Sequence, residues 1–159
     1  MRIAVACDHA GYRLKEEVKL VLRELGHEVR DFGTNSDEPV DYPDLIGPAV
    51  EAVAAGDFER GIVIGGSGNG EAMVANKVPG IRCALCHDVT TATLARAHND
   101  ANVLSLGARI IGSEVARDTV RAFLEVPFDG GRHEGRLEKM AAIERGKTGS
   151  RNRGGADSR

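Results

Sequence analysis

The order of sequence patterns along this chain predicts an α/β fold with a five-stranded, mostly parallel sheet. Short apolar runs typical of buried strands alternate with longer segments in which apolar residues recur about every 3.6 positions. The connections between them are short, and parallel strands need crossover helices that cover both faces of the sheet. We therefore expect a three-layer αβα sandwich around a Rossmann-like sheet.

Five apolar runs are the predicted strands, and each is bounded by polar or turn-forming residues. They span residues 3–7, 27–32, 61–64, 82–86 and 103–106. In a parallel sheet, the residues that directly follow the strands lie together at one edge, where open α/β sheets bind their ligands.

The segments between the strands have the periodicity of amphipathic helices. The first has Leu14, Val18, Val21 and Leu22 on one face, and Gly26 follows it at a position where glycine commonly ends helices. Later helices are predicted over residues 41–55, from the loop after residue 64 to about 77, and over 89–98, 113–124 and 132–145.

Length and composition indicate one domain. The chain has 159 residues, and we expect a single α/β domain over residues 1–145. Residues 146–159 are polar, glycine-rich and without periodicity, which predicts a flexible tail. A net charge of −3 and the absence of Trp argue against nucleic-acid partners, and no apolar run is long enough to cross a membrane.

The three cysteines Cys7, Cys83 and Cys86 are predicted to be reduced thiols. The chain lacks a signal-peptide layout, so we expect a cytoplasmic protein. Cys83 and Cys86 have the spacing of a redox or zinc pair, but residues three apart on a strand point to opposite faces. No second pair completes a zinc site, and we predict no metal.

The glycine-rich loop that follows the third predicted strand is the most informative segment. Its sequence, Gly65-Gly66-Ser67-Gly68-Asn69-Gly70-Glu71, lets the backbone turn tightly and direct several N–H groups at one anion. Glu71 replaces the lysine of a triphosphate-binding loop, and the third glycine of the dinucleotide pattern is absent. A potential base beside N–H donors instead favours proton abstraction with stabilisation of an oxyanion.

Other polar residues follow the first and fifth strands. Asp8 and His9 come directly after the first strand, and Arg109 comes after the fifth. We expect them to meet the glycine-rich loop in one cleft. Each has a plain alternative: Asp8 as a helix cap, His9 as a surface histidine and Arg109 as the partner of a carboxylate.

Two further groups lie outside this pattern. His98 and Asn99 end the helix before the fifth strand, where the helix dipole alone would favour a histidine. Arg132 and Arg136 are predicted one turn apart on one face of the last helix, which suits a phosphate clamp or a solvated cationic face. An apolar stripe beside them could contact the sheet or a partner subunit; it comprises Leu137, Met140 and Ala141.

Seven short motifs are spaced along most of the chain. They are Asp8-His9-Ala10-Gly11, Asp41-Tyr42-Pro43, the loop at residues 65–71, Ala75-Asn76-Lys77, Gly80-Ile81-Arg82, His98-Asn99-Asp100-Ala101-Asn102 and Gly107-Ala108-Arg109. With these motifs the sequence resembles the type B ribose-5-phosphate isomerase family, which also includes galactose-6-phosphate isomerase subunits. The resemblance runs from Met1 to about Glu144.

The resemblance implies interconversion of ribose 5-phosphate and ribulose 5-phosphate through a cis-enediolate, without a cofactor. Glu71 would move the proton between C1 and C2, and Ser67 would help to hold the enediolate oxygens. The backbone N–H groups that would bind these oxygens belong to Gly66, Gly68, Asn69 and Gly70. One branch of the family has a cysteine base at the position of Gly65, whereas Glu71 indicates the glutamate branch.

The resemblance also implies roles for the remaining residues. Asp8 and His98 would handle protons during ring opening, and Asn99 would orient the open sugar. Four side chains would hold the phosphate: His9, Arg109, Arg132 and Arg136. The family's site is shared across a homodimer, and dimers can pair into tetramers.

Three alternatives stay open at the level of the sequence. The first is the same reaction on a six-carbon sugar such as allose or galactose 6-phosphate, because the sequence does not give the depth of the cleft. The second is a sugar-phosphate binding module, which would need the arginines but not Glu71. The third is a nucleotide-binding regulatory domain, which the absent lysine and glycine disfavour.

Overall fold

The computed structural model describes residues 1–146, and these contain five strands and six α-helices. The strands are β1 (Arg2–Cys7), β2 (Glu28–Asp31), β3 (Arg60–Gly65), β4 (Cys83–Leu85) and β5 (Val103–Gly107). The helices are α1 (Tyr12–Glu24), α2 (Tyr42–Ala54), α3 (Asn69–Ala75), α4 (Val89–Asn99), α5 (Ser113–Glu125) and α6 (Glu134–Glu144).

All five strands are parallel and form one sheet in the order β2-β1-β3-β5-β4. β3 lies at the centre, where Ile64 pairs with Cys7 of β1 and with Leu106 of β5. The carboxyl ends of β1, β3 and β5 therefore lie side by side. Because each chain segment turns towards its next helix at this edge, the polar residues after these strands converge.

Two hydrophobic clusters, one on each face of the sheet, form the core. On one face, α1, α4 and α5 bury residues such as Val18, Ala92 and Phe123 against β1, β3 and β5. On the other face, α2 and α3 contribute residues such as Val50 and Ala75. The predicted three-layer αβα sandwich is thus confirmed, and the sheet is parallel throughout.

The start of the last helix differs from the prediction. Arg132 was expected on the same helix as Arg136, but it lies in a 3₁₀ turn over Gly131–His133, and α6 begins at Glu134. Gly130 and Gly131 both have positive φ, at 63° and 55°, so the chain turns sharply here before the α-helix can form. The two arginines are therefore not on one face of a single α-helix.

The tail predicted over residues 146–159 lies outside the described residues except for Gly146.

The cysteines lie on opposite faces of the sheet, as their spacing predicts. Cys86 is buried in the cluster beneath α1, α4 and α5, whereas Cys83 packs against the cluster beneath α2 and α3. All three cysteines are free thiols.

Among residues 1–146, no helix has the length and apolar character needed to cross a membrane.

Helix α1 offers a matched test of where the core lies. Leu22 is 0% exposed and Leu20 is 56% exposed, although they lie two residues apart. We expect Leu22→Ala to lower the free energy of unfolding by about 2–5 kcal/mol, because it leaves a cavity in the core. Leu20→Ala should change it by about 0.5 kcal/mol or less. Urea unfolding of both variants checks this, and equal losses would contradict the assignment of the buried face.

Candidate active site

A cleft of about 390 Å³ opens at the carboxyl edge of the sheet. Its walls come from the segments that follow β1, β3 and β5, together with the start of α2. It is lined by Asp8, His9, Ala10, Tyr42, Gly66, Ser67, Gly70, Glu71, Arg109 and Ile110. The three groups expected to converge from the sequence are therefore brought together in one cleft.

Hydrogen bonds hold the glycine-rich loop against β5 and the residues that directly follow it. The N–H groups of Ala108 and Arg109 donate to the carbonyls of Gly65 and Gly66 at 2.8 and 2.9 Å. The buried Ser105 hydroxyl donates to the carbonyl of Gly68 at 2.7 Å. A Cβ at Gly68 would lie 2.7 Å from Leu85 and 2.9 Å from the backbone of Leu106, and φ there is +78°. Only glycine fits this approach, so the loop has a fixed shape before any ligand binds.

The loop presents backbone N–H groups to the cleft. Among residues 1–146, the N–H groups of Ser67, Gly68 and Gly70 take part in no backbone hydrogen bond. The Ser67 hydroxyl accepts hydrogen bonds from the backbone N–H and the side-chain amide of Asn69, at 3.2 and 3.1 Å. These donors lie at the start of α3, and such an arrangement stabilises a developing oxyanion.

Glu71 lies on the first turn of α3 and is only 3% exposed. Burial raises the pKa of its carboxyl group above the ordinary value, and the nearby charge of Asp8 adds to this shift. The Glu71 carboxylate also occupies the space in which a Cβ at Gly65 would lie. A side chain at position 65 and this carboxylate cannot both be present without rearrangement.

Asp8 and His9 directly follow β1, and each accepts a hydrogen bond from the backbone. Asp8 is buried, and its Oδ1 accepts a hydrogen bond from the N–H of Gly11 at 3.0 Å. This bond closes the turn before α1, whose N-cap residue is Gly11 without a side-chain cap, so Asp8 does not take the alternative role of helix cap. The N–H of Val40 donates to His9 Nδ1 at 3.3 Å. Since Nδ1 accepts, a neutral His9 carries its proton on Nε2 and can donate it to an anion.

Arg109 supplies the positive charge of the cleft. Its side chain is exposed and lies next to Gly66, with Nη1 at 3.4 Å from the position of a Cβ on that glycine. It forms no salt bridge within the part of the chain that the structure describes. The alternative of a carboxylate partner therefore finds no support, and the guanidinium is free to meet an anionic ligand.

Tyr42 was not among the predicted site residues, yet it lines the cleft. Its ring lies so close to the loop that a Cβ at Gly70 would be 2.7 Å from it. The motif Asp41-Tyr42-Pro43 was the available signal, because it contributed to the family resemblance. Its place opposite the glycine loop depends on the long-range packing of α2 beside α3, which local patterns do not reveal.

His98 and Asn99 do not line this cleft. They end α4, a few residues before β5 begins at Val103, which pairs with Gly61 near the start of β3. They therefore lie at the amino edge of the sheet, whereas Arg109 and the glycine-rich loop lie at the carboxyl edge. The two edges are roughly 13 Å apart along β5.

Arg132 and Arg136 are also absent from the lining of the cleft, and both are exposed. They lie near His98, because His133 stands between them in the sequence. The buried His133 ring stacks on the ring of His98, with centroids 4.3 Å apart. Burial lowers the pKa of His133, and its electrostatic interactions with Arg132, Arg136 and His98 lower it further. One chain therefore presents two separate groups of predicted site residues.

The second group has the spacing of a metal site but not its orientation. Ligand atoms of His98, Asp129 and His133 lie within 4.8 Å of one another. However, the two rings are stacked within 10° of parallel, and Arg132 Nε donates to His133 Nε2 at 3.4 Å. For a metal ion to bind, the rings would have to turn and the guanidinium would have to move away. The arrangement therefore favours the binding of an anion over that of a metal ion.

None of the thiols has the properties of a catalytic base. Burial raises the pKa of Cys7 to about 12 and that of Cys86 to about 11, and it raises the pKa of Cys83 as well. Because the reactive species is the thiolate, thiols with raised pKa values are poor bases near neutral pH. Glu71, by contrast, is a candidate base on the first turn of α3, beside the N–H donors of the loop.

Comparison with known proteins gives one consistent family. The family model described as Ribose/Galactose Isomerase matches residues 3–140. The chain is 46% identical over 143 residues to the ribose-5-phosphate isomerase B of Escherichia coli, with 90% of this chain and 96% of the relative covered.

Solved structures agree with the sequence relatives. A ribose-5-phosphate isomerase B from Clostridium thermocellum superposes with a TM-score of 0.91 at 47% identity, covering 93% of this chain and 100% of that one. One from Mycoplasma genitalium, determined with bound ribulose 5-phosphate, gives 0.86 at 38% identity, covering 91% and 96%. The matched region includes the glycine-rich loop, Glu71 and Arg109. The chain therefore belongs to the ribose/galactose isomerase family.

Proposed function

We propose that this protein is a ribose-5-phosphate isomerase in which Glu71 is the base of an aldose–ketose interconversion. The observation that carries the proposal is the position of Glu71, buried beside N–H groups of the glycine-rich loop that form no backbone hydrogen bond among residues 1–146. Isomerisation needs a base next to the carbon acid and donors that stabilise the enediolate oxygen. The cleft has both, and the names of the relatives match this reaction.

The reaction proceeds in two stages. Asp8 and His98 exchange protons with the ring oxygen and the anomeric hydroxyl, so that the furanose opens to the free aldehyde. Glu71 then removes the proton from C2, and the electron pair forms the cis-enediolate while the carbonyl oxygen gains negative charge. The loop N–H groups and Ser67 hold that charge while the proton of the C2 hydroxyl passes to the C1 oxygen. Glu71 returns its proton to C1, which leaves the carbonyl at C2 and gives the ketose.

The raised pKa of Glu71 suits this role. A carboxylate that is partly desolvated is a stronger base than one in water, and burial is the main cause of its shift. Gly65 supports the assignment to the glutamate branch, because the carboxylate fills the space that a cysteine side chain at position 65 would need. The two branches thus use the same volume beside the loop for different bases.

Phosphate binding is assigned to the cationic and donor groups around the cleft. Arg109 and the Nε2–H of His9 come from the same chain as Glu71. Arg132 and Arg136 are exposed and belong to the second group beside His98. Guanidinium groups suit phosphate because they can donate paired hydrogen bonds to its oxygens.

A homodimer would bring the two groups together. A single chain leaves His98, Asn99 and the two arginines away from its own cleft, so a second copy must supply them if they act there. α6 has no buried residue, and it exposes Met140 and Ile143 beside a groove of about 320 Å³. Met73 on α3 is exposed as well. Apolar surface of this kind suits a subunit interface, and such dimers can pair into tetramers.

A six-carbon substrate is the nearest alternative. The bound ribulose 5-phosphate in the Mycoplasma genitalium relative favours a five-carbon sugar phosphate here. Turnover of allose 6-phosphate and galactose 6-phosphate beside ribose 5-phosphate distinguishes these reactions. A binding module would retain affinity for the sugar phosphate with no turnover of any of them.

The cytoplasmic location predicted from the sequence is compatible with the free thiols.

Removal of the Glu71 carboxylate tests the assignment of the base. We expect Glu71→Gln to lower kcat for ribose 5-phosphate by about 10²–10⁴-fold with little change in phosphate affinity, since a general base contributes that much. Glu28→Gln, on the exposed edge strand β2, is the matched control and should keep its activity. Near-normal turnover of Glu71→Gln would rule out Glu71 as the base.

The raised pKa of Glu71 also predicts how stability depends on pH. The folded protein binds this proton more readily than the unfolded chain, so the buried carboxylate costs stability once it is ionised. The cost is absent below the ordinary glutamate value of 4.5, grows above it and becomes constant above the raised pKa. Glu71→Gln should therefore have the higher thermal midpoint at neutral pH, with the difference lost in acid. A constant difference from pH 4 to 8 would contradict this.

Mixed dimers test whether the site is shared. Glu71→Gln and His98→Asn subunits should each be inactive alone, whereas their heterodimer would contain one intact site. Random mixing by co-expression should then restore about one quarter of the parent activity, because half of the dimers are mixed and each has one intact site. Failure to restore activity in verified heterodimers would show that Glu71 and His98 of the same chain act together.

A further inference from the structure

Asp100 is the one residue other than glycine with a positive φ among residues 1–146. It ends α4 in the left-handed conformation, with φ 43° and ψ 45°. Glycine usually takes this position, because other residues are strained there. An aspartate in place of glycine indicates that its side chain is used.

The Asp100 carboxylate joins two arginines from different parts of the chain. Its Oδ1 accepts a hydrogen bond from Arg96 Nη1 at 2.8 Å, and its Oδ2 accepts one from Arg82 Nη2 at 3.0 Å. The Arg96 side chain is only 3% exposed, so the pair is screened little by water. Arg96 lies within α4, whereas Arg82 directly precedes β4.

Arg82 also donates hydrogen bonds to the backbone of the turn that follows His98. Its Nε donates to the carbonyls of Asn99 and Asp100 at 3.1 and 3.0 Å, and its Nη2 donates to the Asp100 carbonyl at 2.8 Å. Its own N–H donates to Asn102 Oδ1 at 2.8 Å. The end of α4 is thereby fixed to the amino end of β4.

Arg96 connects the same turn to the segment that leads to the second group of arginines. Its Nη1 donates to the carbonyl of Ala101 at 2.6 Å, and its Nε donates to that of Val126 at 3.3 Å. Close by, the N–H of Asp129 donates to the carbonyl of Ala97 at 2.9 Å. This segment continues into the 3₁₀ turn with Arg132 and His133, whose ring stacks on His98.

We propose that Arg82, Arg96 and Asp100 are positioning residues that hold His98, Asn99 and Arg132 as one unit for the cleft of the partner subunit. The inference rests on the proposed isomerase function and names what sets the geometry of half of its site. None of the three residues lines the cleft at Glu71. They act through the turn after α4 and the segment after α5, and not by touching the sugar.

The charges explain why the carboxylate is essential to this arrangement. Arg60 also interacts electrostatically with these three residues. Asp100 attracts it as an opposite charge, and Arg96 and Arg82 repel it as like charges. Without Asp100, Arg82 and Arg96 would lose the carboxylate that joins them, and only their like charges would act on Arg60. Their repulsion would loosen the contacts to Asn99 and Val126 that fix the unit.

Asp100→Gly separates the role of the side chain from that of the backbone. Glycine relieves the left-handed strain and removes only the carboxylate, so the turn itself can persist. We expect kcat/KM for ribose 5-phosphate to fall by about ten- to hundredfold, as for a misplaced catalytic group. Arg82→Met should give a similar loss if Asp100→Gly fails to fold. Arg117→Met, which breaks the exposed Arg117–Glu24 pair, is the matched control and should retain parent kinetics.

Mixed dimers supply a measurement that a merely structural role would not affect. Co-expressed Asp100→Gly and Glu71→Gln subunits should regain about one quarter of the parent activity, because Asp100 would serve the partner's cleft. Co-expressed Asp100→Gly and His98→Asn subunits should regain nothing, since both changes impair the same half of the site. The reverse pattern would show that Asp100 serves the cleft of its own chain.

The outcomes distinguish this inference from the proposed function. If the parent protein does not isomerise ribose 5-phosphate, the proposed function itself is wrong. If the parent is active and folded Asp100→Gly dimers keep kcat/KM within about twofold of it, the positioning role is wrong. A lower thermal midpoint with unchanged kinetics would also overturn the proposal, because it would assign these residues to stability alone.

Discussion

The contact between the Glu71 carboxylate and the backbone of Gly65 is the constraint on which the cleft depends. A Cβ at Gly65 would overlap the carboxylate, so the loop must begin with glycine for Glu71 to lie there. The same loop is held to β5 through Gly68, which has no room for a side chain. A fixed loop keeps its N–H groups aimed at one place, and burial beside it raises the pKa of Glu71.

The parallel sheet divides the candidate site residues between its two edges. Asp8, the glycine-rich loop and Arg109 follow strands and lie at the carboxyl edge, whereas His98 and Asn99 precede β5 at the amino edge. Because the sheet separates the edges, one chain cannot complete the proposed site. A second copy would supply the missing residues, and Arg82, Arg96 and Asp100 would then hold in place the residues that each subunit contributes to its partner's cleft.

The sequence predicts the fold well because short buried strands and amphipathic helices have distinct periods. It also predicts the meeting of Asp8, Glu71 and Arg109, because all three follow strands of a parallel sheet. It misses Tyr42, whose contact with Gly70 depends on how two helices pack. It also misplaces the start of the last helix, although the pair Gly130-Gly131 was a signal for the break. The two groups of candidate site residues stay apart in one chain, which periodicity within that chain does not reveal.

The most direct test of the account is proton exchange at C1 of ribulose 5-phosphate in D₂O, followed by NMR with EDTA present. Glu71 is proposed to carry the proton between carbon atoms, and a carboxylic acid exchanges its proton with solvent. The parent protein should therefore incorporate deuterium at C1 without added metal, and Glu71→Gln should not. Exchange that persists in Glu71→Gln, or that requires a metal ion, would contradict the central claim.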